Sequence, residues 1–221
     1  MSIQLHILKP TDDITAALAF RAGIMGAAFG ITAEQDRDPW DQYAYHVTAV
    51  SGGEIVGYYR TITDNPRGFY TESEFDITGL ALPRDQILEI GRAAVDPGHR
   101  HAGTIPTLWG GILELAAEIN RRYVIGTASI KPAETNIIQA RDRWRERYQY
   151  LSGAHAMPLI PVPDDLIMGA NPVPKLIQVY ERLGARIVSD PSWDPVFRTA
   201  DVVTVLDVED ANQRWLDKLI S

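Results

Sequence analysis

The chain has 221 residues, 45% hydrophobic and 23% charged, which suits a folded domain with its own core. It contains no cysteine, so disulfides, thiolate metal sites and a cysteine nucleophile are excluded together. Its 29 acidic and 21 basic residues leave a net charge of −8, which argues against broad nucleic-acid binding.

Ser2 to Leu8 alternates polar and apolar residues and reads as a first strand. Pro10 and Thr11 open a helix, with Thr11 as N-cap and Asp12 and Asp13 at its positive end; it runs to Gly30. Glu34 to Asp41 is acidic and reads as too polar for a core element. Two strands, Tyr45–Val50 and Ile55–Thr63, join across Ser51-Gly52-Gly53 as a hairpin. Asp64 to Gly79 reads as loop with at most a short strand, and Ile87 to Val95 as a buried strand closed by Asp96-Pro97-Gly98. Thr104 to Arg122 carries apolar residues at helical spacing, Tyr123 to Ile130 is the next strand, and Ala133 to Tyr150 the next helix. After a proline-rich connection, helix Lys175 to Leu183 ends at Gly184, a C′ glycine. Strands near Ala185–Val188 and Asp201–Asp207 and a short amphipathic helix close the chain. No repeat or linker divides it, so a single domain over residues 1–221 is expected. The amino terminus lacks a signal-peptide pattern, and no apolar run is long enough to span a bilayer, so a cytoplasmic protein without stable membrane insertion is expected.

The densest chemical signal runs from Leu88 to Thr104. Strand alternation sets Glu89 and Gly91 on one side and Leu88, Ile90 and Arg92 on the other. A carboxylate and a guanidinium in the middle of an apolar strand are costly to bury unless paired or working. Beyond the strand come Arg100, then Gly103 and Thr104 at a helix start, where free N–H groups and the helix dipole suit a phosphate. The segment therefore reads as a carrier-phosphate site beside a carboxylate.

Glu89-x-x-Arg92, followed by Val95-x-Pro97-x-x-Arg100, resembles motif A of the Gcn5-related N-acyltransferase (GNAT) fold. Arg21, Asp36-x-Asp38-x-Trp40-Asp41, His46 and Gly57-Tyr58-Tyr59-Arg60 are similar to a signature shared by three groups: ornithine–acyl-carrier-protein acyltransferases, N-acyl amino acid synthases and acyl-homoserine-lactone synthases. Gly126 to Ser129, His155 to Pro158, Tyr180 to Ala185, Pro191 to Phe197 and Asp201 resemble the first two groups and not the lactone synthases. The resemblance spans Arg21 to Leu206 and implies an α/β (α+β) GNAT fold, a mixed central sheet flanked by helices.

The implied activity is transfer of a long-chain acyl group from acyl carrier protein to the α-amine of an amino acid. The phosphate loop lacks the second glycine of the acetyl-coenzyme A loop, which favours the single phosphate of phosphopantetheine over coenzyme A as donor. Tyr45 stands where the ornithine enzymes tend to carry an acid, which points to a less cationic acceptor. A lactone synthase, an acetyl-coenzyme A acetyltransferase and a non-catalytic acyl-carrier-binding protein are the alternatives.

Acyl transfer to an amine needs a base to neutralise the nucleophile, and Glu89 is the candidate, with Arg92 orienting it or binding substrate oxygens. Backbone N–H groups from Ala93, Ala94 and Val95, where the strand splays, are the expected oxyanion donors, and Ser129 a contact for the carrier arm. Arg21, Asp36, Asp38, Asp41 and Arg60 form a charge set suited to the acceptor's ammonium and carboxylate, or else a solvated loop. His46 reads more readily as a core histidine and His155 as a packing residue; the histidines show no metal spacing, so no metal is expected. Arg141, Arg143, Arg145 and Arg147 share one helix and suggest a docking surface for acidic acyl carrier protein, against a solvated helix balanced by Asp142 and Glu146.

Overall fold

The computed structural model describes residues 2–100, 103–150 and 153–211. In chain order the elements are β1 (Gln4–Leu8), α1 (Thr15–Phe29), α2 (Ala33–Asp36), β2 (Tyr45–Ser51), β3 (Glu54–Ile62), β4 (Phe75–Asp76) and β5 (Ile87–Val95). They continue with α3 (Thr104–Glu118), β6 (Tyr123–Ile130), α4 (Ile137–Tyr148), β7 (Met157–Pro158), α5 (Lys175–Leu183), β8 (Arg186–Ile187), β9 (Ser192–Asp194) and β10 (Thr199–Asp207). Eight strands form one mixed sheet in the order β1-β2-β3-β5-β6-β10-β8, with β9 also on β10, while β4 and β7 pair apart from it. Every pairing is antiparallel except that of β5 with β6, the two strands joined through α3. A parallel neighbour needs such a crossover, and here it is a helix.

Most boundaries follow the hydrophobic period, and the exceptions have local causes. α1 starts at Thr15 rather than beside Thr11, because Asp12 accepts from Lys9 N–H and Asp13 from Thr15 N–H, holding this segment in a turn. α4 starts at Ile137, where Asn136 supplies the N-cap to Gln139 N–H. The short β9 was not legible in the pattern, and the expected carboxy-terminal helix lies outside the described residues.

The two faces of the sheet are covered differently. α3 packs where Gly57 leaves room, since a Cβ there would sit 2.5 Å from the Thr104 methyl. On this side Leu108, Trp109, Ile112, Trp144 and Ile177 join the main core, and Tyr59 donates to or accepts from Tyr180 at 2.9 Å. On the other side α1 brings Ala17 and Met25 against Tyr58 and Ala94. No helix among the described residues is long and apolar enough to cross a membrane.

β5 and β6 pair only from Ile87–Tyr123 to Glu89–Ile125 and then diverge. Gly126 marks the point of divergence: a Cβ there would lie 2.3 Å from the Ile90 carbonyl oxygen. Only glycine lets the two backbones come this close before they part.

Candidate active site

The gap beyond the last β5–β6 pair is a cavity of about 210 Å³. Glu89 to Ala93 line one strand wall and Gly126 to Ser129 the other, with Arg60, Tyr70, Asp194, Phe197 and Asp201 around them. Polar groups are thus concentrated where two strands leave backbone edges unpaired, within a shell of aromatic and aliphatic side chains.

Glu89 is 3% exposed and belongs to this lining. Its carboxylate accepts from Tyr70 N–H at 2.7 Å, Thr71 N–H at 2.8 Å and Thr71 Oγ1–H at 2.7 Å. Burial pushes its pKa up, opposed by the Thr71 hydrogen bonds and the charge of Arg60. No ion pair joins Glu89 to Arg92 among the described residues, so Arg92 does not orient Glu89 as the sequence suggested.

Arg92 departs from regular alternation. Tyr58 pairs with Ala94 while Arg60 pairs with Gly91, so β5 carries one extra residue here, and Arg92 takes a left-handed φ of 53°. The bulge brings its side chain to the cavity that Glu89 also lines. The guanidinium lies 4.9 Å from the Tyr70 ring centroid and 4.5 Å from that of Phe197, and donates to Asp38 at 2.8 Å. A left-handed non-glycine residue costs about 1–2 kcal/mol, which these contacts offset.

The charge set Arg21, Asp36, Asp38, Asp41 and Arg60 is a buried lattice and not a solvated loop. Arg21 is fully buried; it bonds Asp36 at 2.7 Å and grips Asp41 through two contacts of 2.7 and 2.8 Å. Arg60 donates to both Asp38 oxygens at 2.6 Å and to Asp41 at 3.1 Å. The two arginines hold the Asp41 carboxyl well below the usual carboxylate range against its burial. Asp36 is fully buried, so the acidic stretch read as too polar for the core supplies core charges, each with an arginine to meet it. Of these five only Arg60 reaches the cavity wall. His46 is buried beside them, its ring nitrogens 2.7 Å from Tyr58 Oη and 3.1 Å from the Asp41 carbonyl oxygen, and burial lowers its pKa. It is the core histidine the pattern favoured.

The expected donor residues separate into two places. Ala93 and Ser129 line the cavity, while Ala94 and Val95 pair with Tyr58 and Gly57 and lie outside its walls, because the strands part earlier than expected. Ser129 Oγ donates to Asp201 at 3.0 Å. Gly103 caps α3 with φ 80°, Arg100 is exposed, and buried Thr104 donates its hydroxyl to the His99 carbonyl at 2.9 Å. His155 contacts the Gly153 carbonyl, and Tyr45 packs against the main core; neither lines the cavity.

Sequence reasoning assigned no role to Tyr70, Glu74, Asp194, Phe197 or Asp201. Asp194, Phe197 and Asp201 fell within segments noted for their resemblance, whereas Tyr70 and Glu74 sat in what read as loop. On α4, Arg141 pairs with Asp142, Arg145 with Asp190 and Arg147 with Glu181, leaving exposed Arg143 against the Trp144 ring.

Comparison with known proteins bears on this geometry. Residues 19–110 match the model of an acetyltransferase (GNAT) domain. The chain is 31% identical to an L-ornithine N(alpha)-acyltransferase of Agrobacterium fabrum, over 83% of this chain and 71% of that protein. Among solved structures it is similar to FeeM, an N-acyl amino acid synthase from uncultured soil microbes. That match has a TM-score of 0.60 and 16% identity, over 95% of this chain and 92% of that one. It is also similar to BjaI, a coenzyme A-dependent acyl-homoserine lactone synthase, with TM-score 0.59 and 14% identity, over 99% and 88%. At such identities the structural likenesses carry the fold alone.

Proposed function

The chain belongs to the L-ornithine N(alpha)-acyltransferase family of GNAT-fold N-acyltransferases, and on that premise we propose that it moves a long-chain acyl group from acyl carrier protein to the α-amine of an amino acid. The observation that carries this reading is a buried carboxylate, Glu89, on the wall of the cavity that opens where β5 and β6 part. An extended phosphopantetheine arm fits between diverging strands, its thioester carbonyl facing the backbone N–H groups of β5 near Ala93. The anionic end then lies toward Arg100 and Gly103 at the start of α3, with Thr104 as a positioning residue that holds the turn through His99.

The neutral amine attacks the thioester carbonyl, and its proton passes to Glu89, directly or through one water. A C–N bond forms, the tetrahedral oxyanion is held by backbone donors, and collapse breaks the C–S bond to release the carrier thiolate. Three hydrogen bonds keep the Glu89 carboxylate fixed, and its raised pKa makes it a better base than a surface glutamate. Arg92, braced by Asp38 and two rings, binds an oxygen of the acceptor carboxylate or thioester. Arg21, Asp36 and Asp41 act at one remove, holding Asp38 and Arg60 in place.

Glu89→Gln is expected to slow transfer by about a hundredfold or more, the usual contribution of a general base, while long-chain acyl carrier protein still binds. In the wild type, transfer falls as pH drops, with a midpoint above the ordinary glutamate value because the base must be ionised. Unchanged turnover in Glu89→Gln, measured by steady-state kinetics, would remove Glu89 from this role.

A further inference from the structure

The charges beside the cavity divide into two sets. In the first, Arg21, Arg60 and Arg92 bond Asp36, Asp38 and Asp41, and cations balance anions. The second is a set of carboxylates with no such match. Glu74, Asp194 and Asp201 are all buried, and one oxygen of each lies within 4.8 Å of the others. No ion pair reaches any of them among the described residues. Arg92 is near enough for its charge to act on Glu74 and Asp201, but its guanidinium is already bonded to Asp38.

Glu74 sets this cluster apart from a surface patch of acids. It is 4% exposed, and neither of its carboxylate oxygens has a hydrogen-bond partner. The Tyr70 hydroxyl stands near it without closing a hydrogen bond. Its backbone is pinned, because its carbonyl oxygen accepts from Leu159 N–H at 2.9 Å and from Ser192 Oγ at 3.0 Å. A carboxylate fixed in the interior with both oxygens bare is costly unless something meets it. The other two are oriented by hydrogen bonds. Asp201 accepts from Thr199 Oγ1 at 2.7 Å and Ser129 Oγ at 3.0 Å, and Asp194 Oδ1 from the Val196 and Phe197 N–H groups at 2.7 and 3.0 Å. Carboxylates that ligate metals are commonly held in this way by outer partners.

From this arrangement we infer that Glu74, Asp194 and Asp201 bind one hard divalent cation of the calcium, magnesium or manganese class. Three carboxylates make an all-oxygen donor set, which suits these ions rather than zinc or copper. Oxygens on opposite sides of a calcium ion at about 2.4 Å stand about 4.8 Å apart, so the spacing found is compatible with a shared ion. The two bare oxygens of Glu74 offer a bidentate ligand. The charge fits as well. A divalent ion cancels two of the three negative charges and Arg92 bears on the third, whereas a single ammonium would leave two uncancelled in the interior. Asp194 and Asp201 line the cavity, which gives the ion a way in and water room to complete its shell. The ligands come from the residue before β4, the end of β9 and the first turns of β10, so the ion ties together three segments of the cavity wall that lie far apart in sequence. This site does not depend on the transferase reading.

The test strips the full chain of metal with EDTA, removes the chelator by dialysis, and titrates with calcium, magnesium or manganese chloride near neutral pH. Calorimetry reads affinity and stoichiometry, and thermal melting reads stabilisation. Wild type should bind one ion per chain from at least one of these salts, and at about ten times its Kd the ion should raise Tm by about 3–6 °C. Glu74→Gln and Asp194→Asn, each first shown to be folded by its metal-free melt, should bind about tenfold more weakly or worse. Asp165→Asn, at an exposed acid outside the cluster, should bind as wild type does.

Failure of wild type to bind any of the three ions one to one would overturn the inference, whatever the variants do. Equal affinity in wild type, Glu74→Gln and Asp194→Asn would overturn it by placing the ion elsewhere. Stabilisation of the metal-free wild type by ethylammonium chloride, lost in both variants and matched by no divalent ion, would overturn it in favour of an organic cation. Each readout is binding and not turnover, so its failure leaves the transferase reading standing.

Discussion

Glu72, Glu74 and Asp76 alternate along one short segment, yet they meet three different fates. Glu72 pairs with Arg84 at the surface, Asp76 caps Thr78, and Glu74 turns inward toward Asp194 and Asp201. Nothing in the residue types separates them, because the turn that buries Glu74 depends on β7 arriving from far along the chain to pair with β4. Glu89 was legible for the opposite reason: a lone acid inside an apolar strand is conspicuous wherever its partners come from. The misplaced Glu74 charge has a measurable consequence. Its pKa is raised in the folded state, so folding binds a proton and stability falls as pH rises from the ordinary glutamate value toward about 9. Without ligand, the melting temperature of the wild type should therefore drop between pH 6 and pH 9, and Glu74→Gln should flatten that slope and melt higher at pH 9. Parallel slopes in the two proteins would contradict the assigned burial of an ionisable carboxyl.

At the scale of elements, β5 and β6 were readable to the residue because both are predominantly apolar runs flanked by turn or helix signals. The bulge at Arg92 was not, since an extra residue in one strand exists only relative to its partner's register. The same limit hid the site of the splay, which was expected near Ala93 to Val95 and opens just past Glu89. Gly126 tests that architecture. Gly126→Ala puts a methyl carbon 2.3 Å from a backbone carbonyl that cannot swing aside, so it should destabilise by about 1–3 kcal/mol and weaken donor binding. Gly23→Ala is the contrast: it lies inside α1 with nothing within 4 Å of the added carbon, and should stabilise by up to about 1 kcal/mol. Urea denaturation of both variants reads the difference, and equal effects would contradict the close approach of the strands.

At the scale of the whole molecule, a net charge of −8 must be reconciled with the acidic carrier protein proposed as donor. Most α4 arginines are spent on internal pairs, as with Arg145 on Asp190, which narrows any docking surface to Arg143 and its surroundings. Arg143→Glu should weaken carrier binding, more at low salt than at high because exposed charges are screened; salt-independent affinity in both proteins would remove α4 from the interface. The order of elements and the family signature were legible because they reside in local pattern and short motifs. The charge lattice was legible as a set of residues but not as an interior, because partners such as Arg21 and Asp41 meet only through the fold. The central claim, acyl transfer to the α-amine of an amino acid, is tested most directly by mass spectrometry of lipid extracts from a bacterial host expressing the wild type beside Glu89→Gln. An N-acyl amino acid acylated on its α-nitrogen, present with the wild type and nearly absent with the variant, is the predicted result. An acyl lactone, or a lipid profile identical in both strains under conditions where purified protein also fails to acylate amino acids, would contradict it.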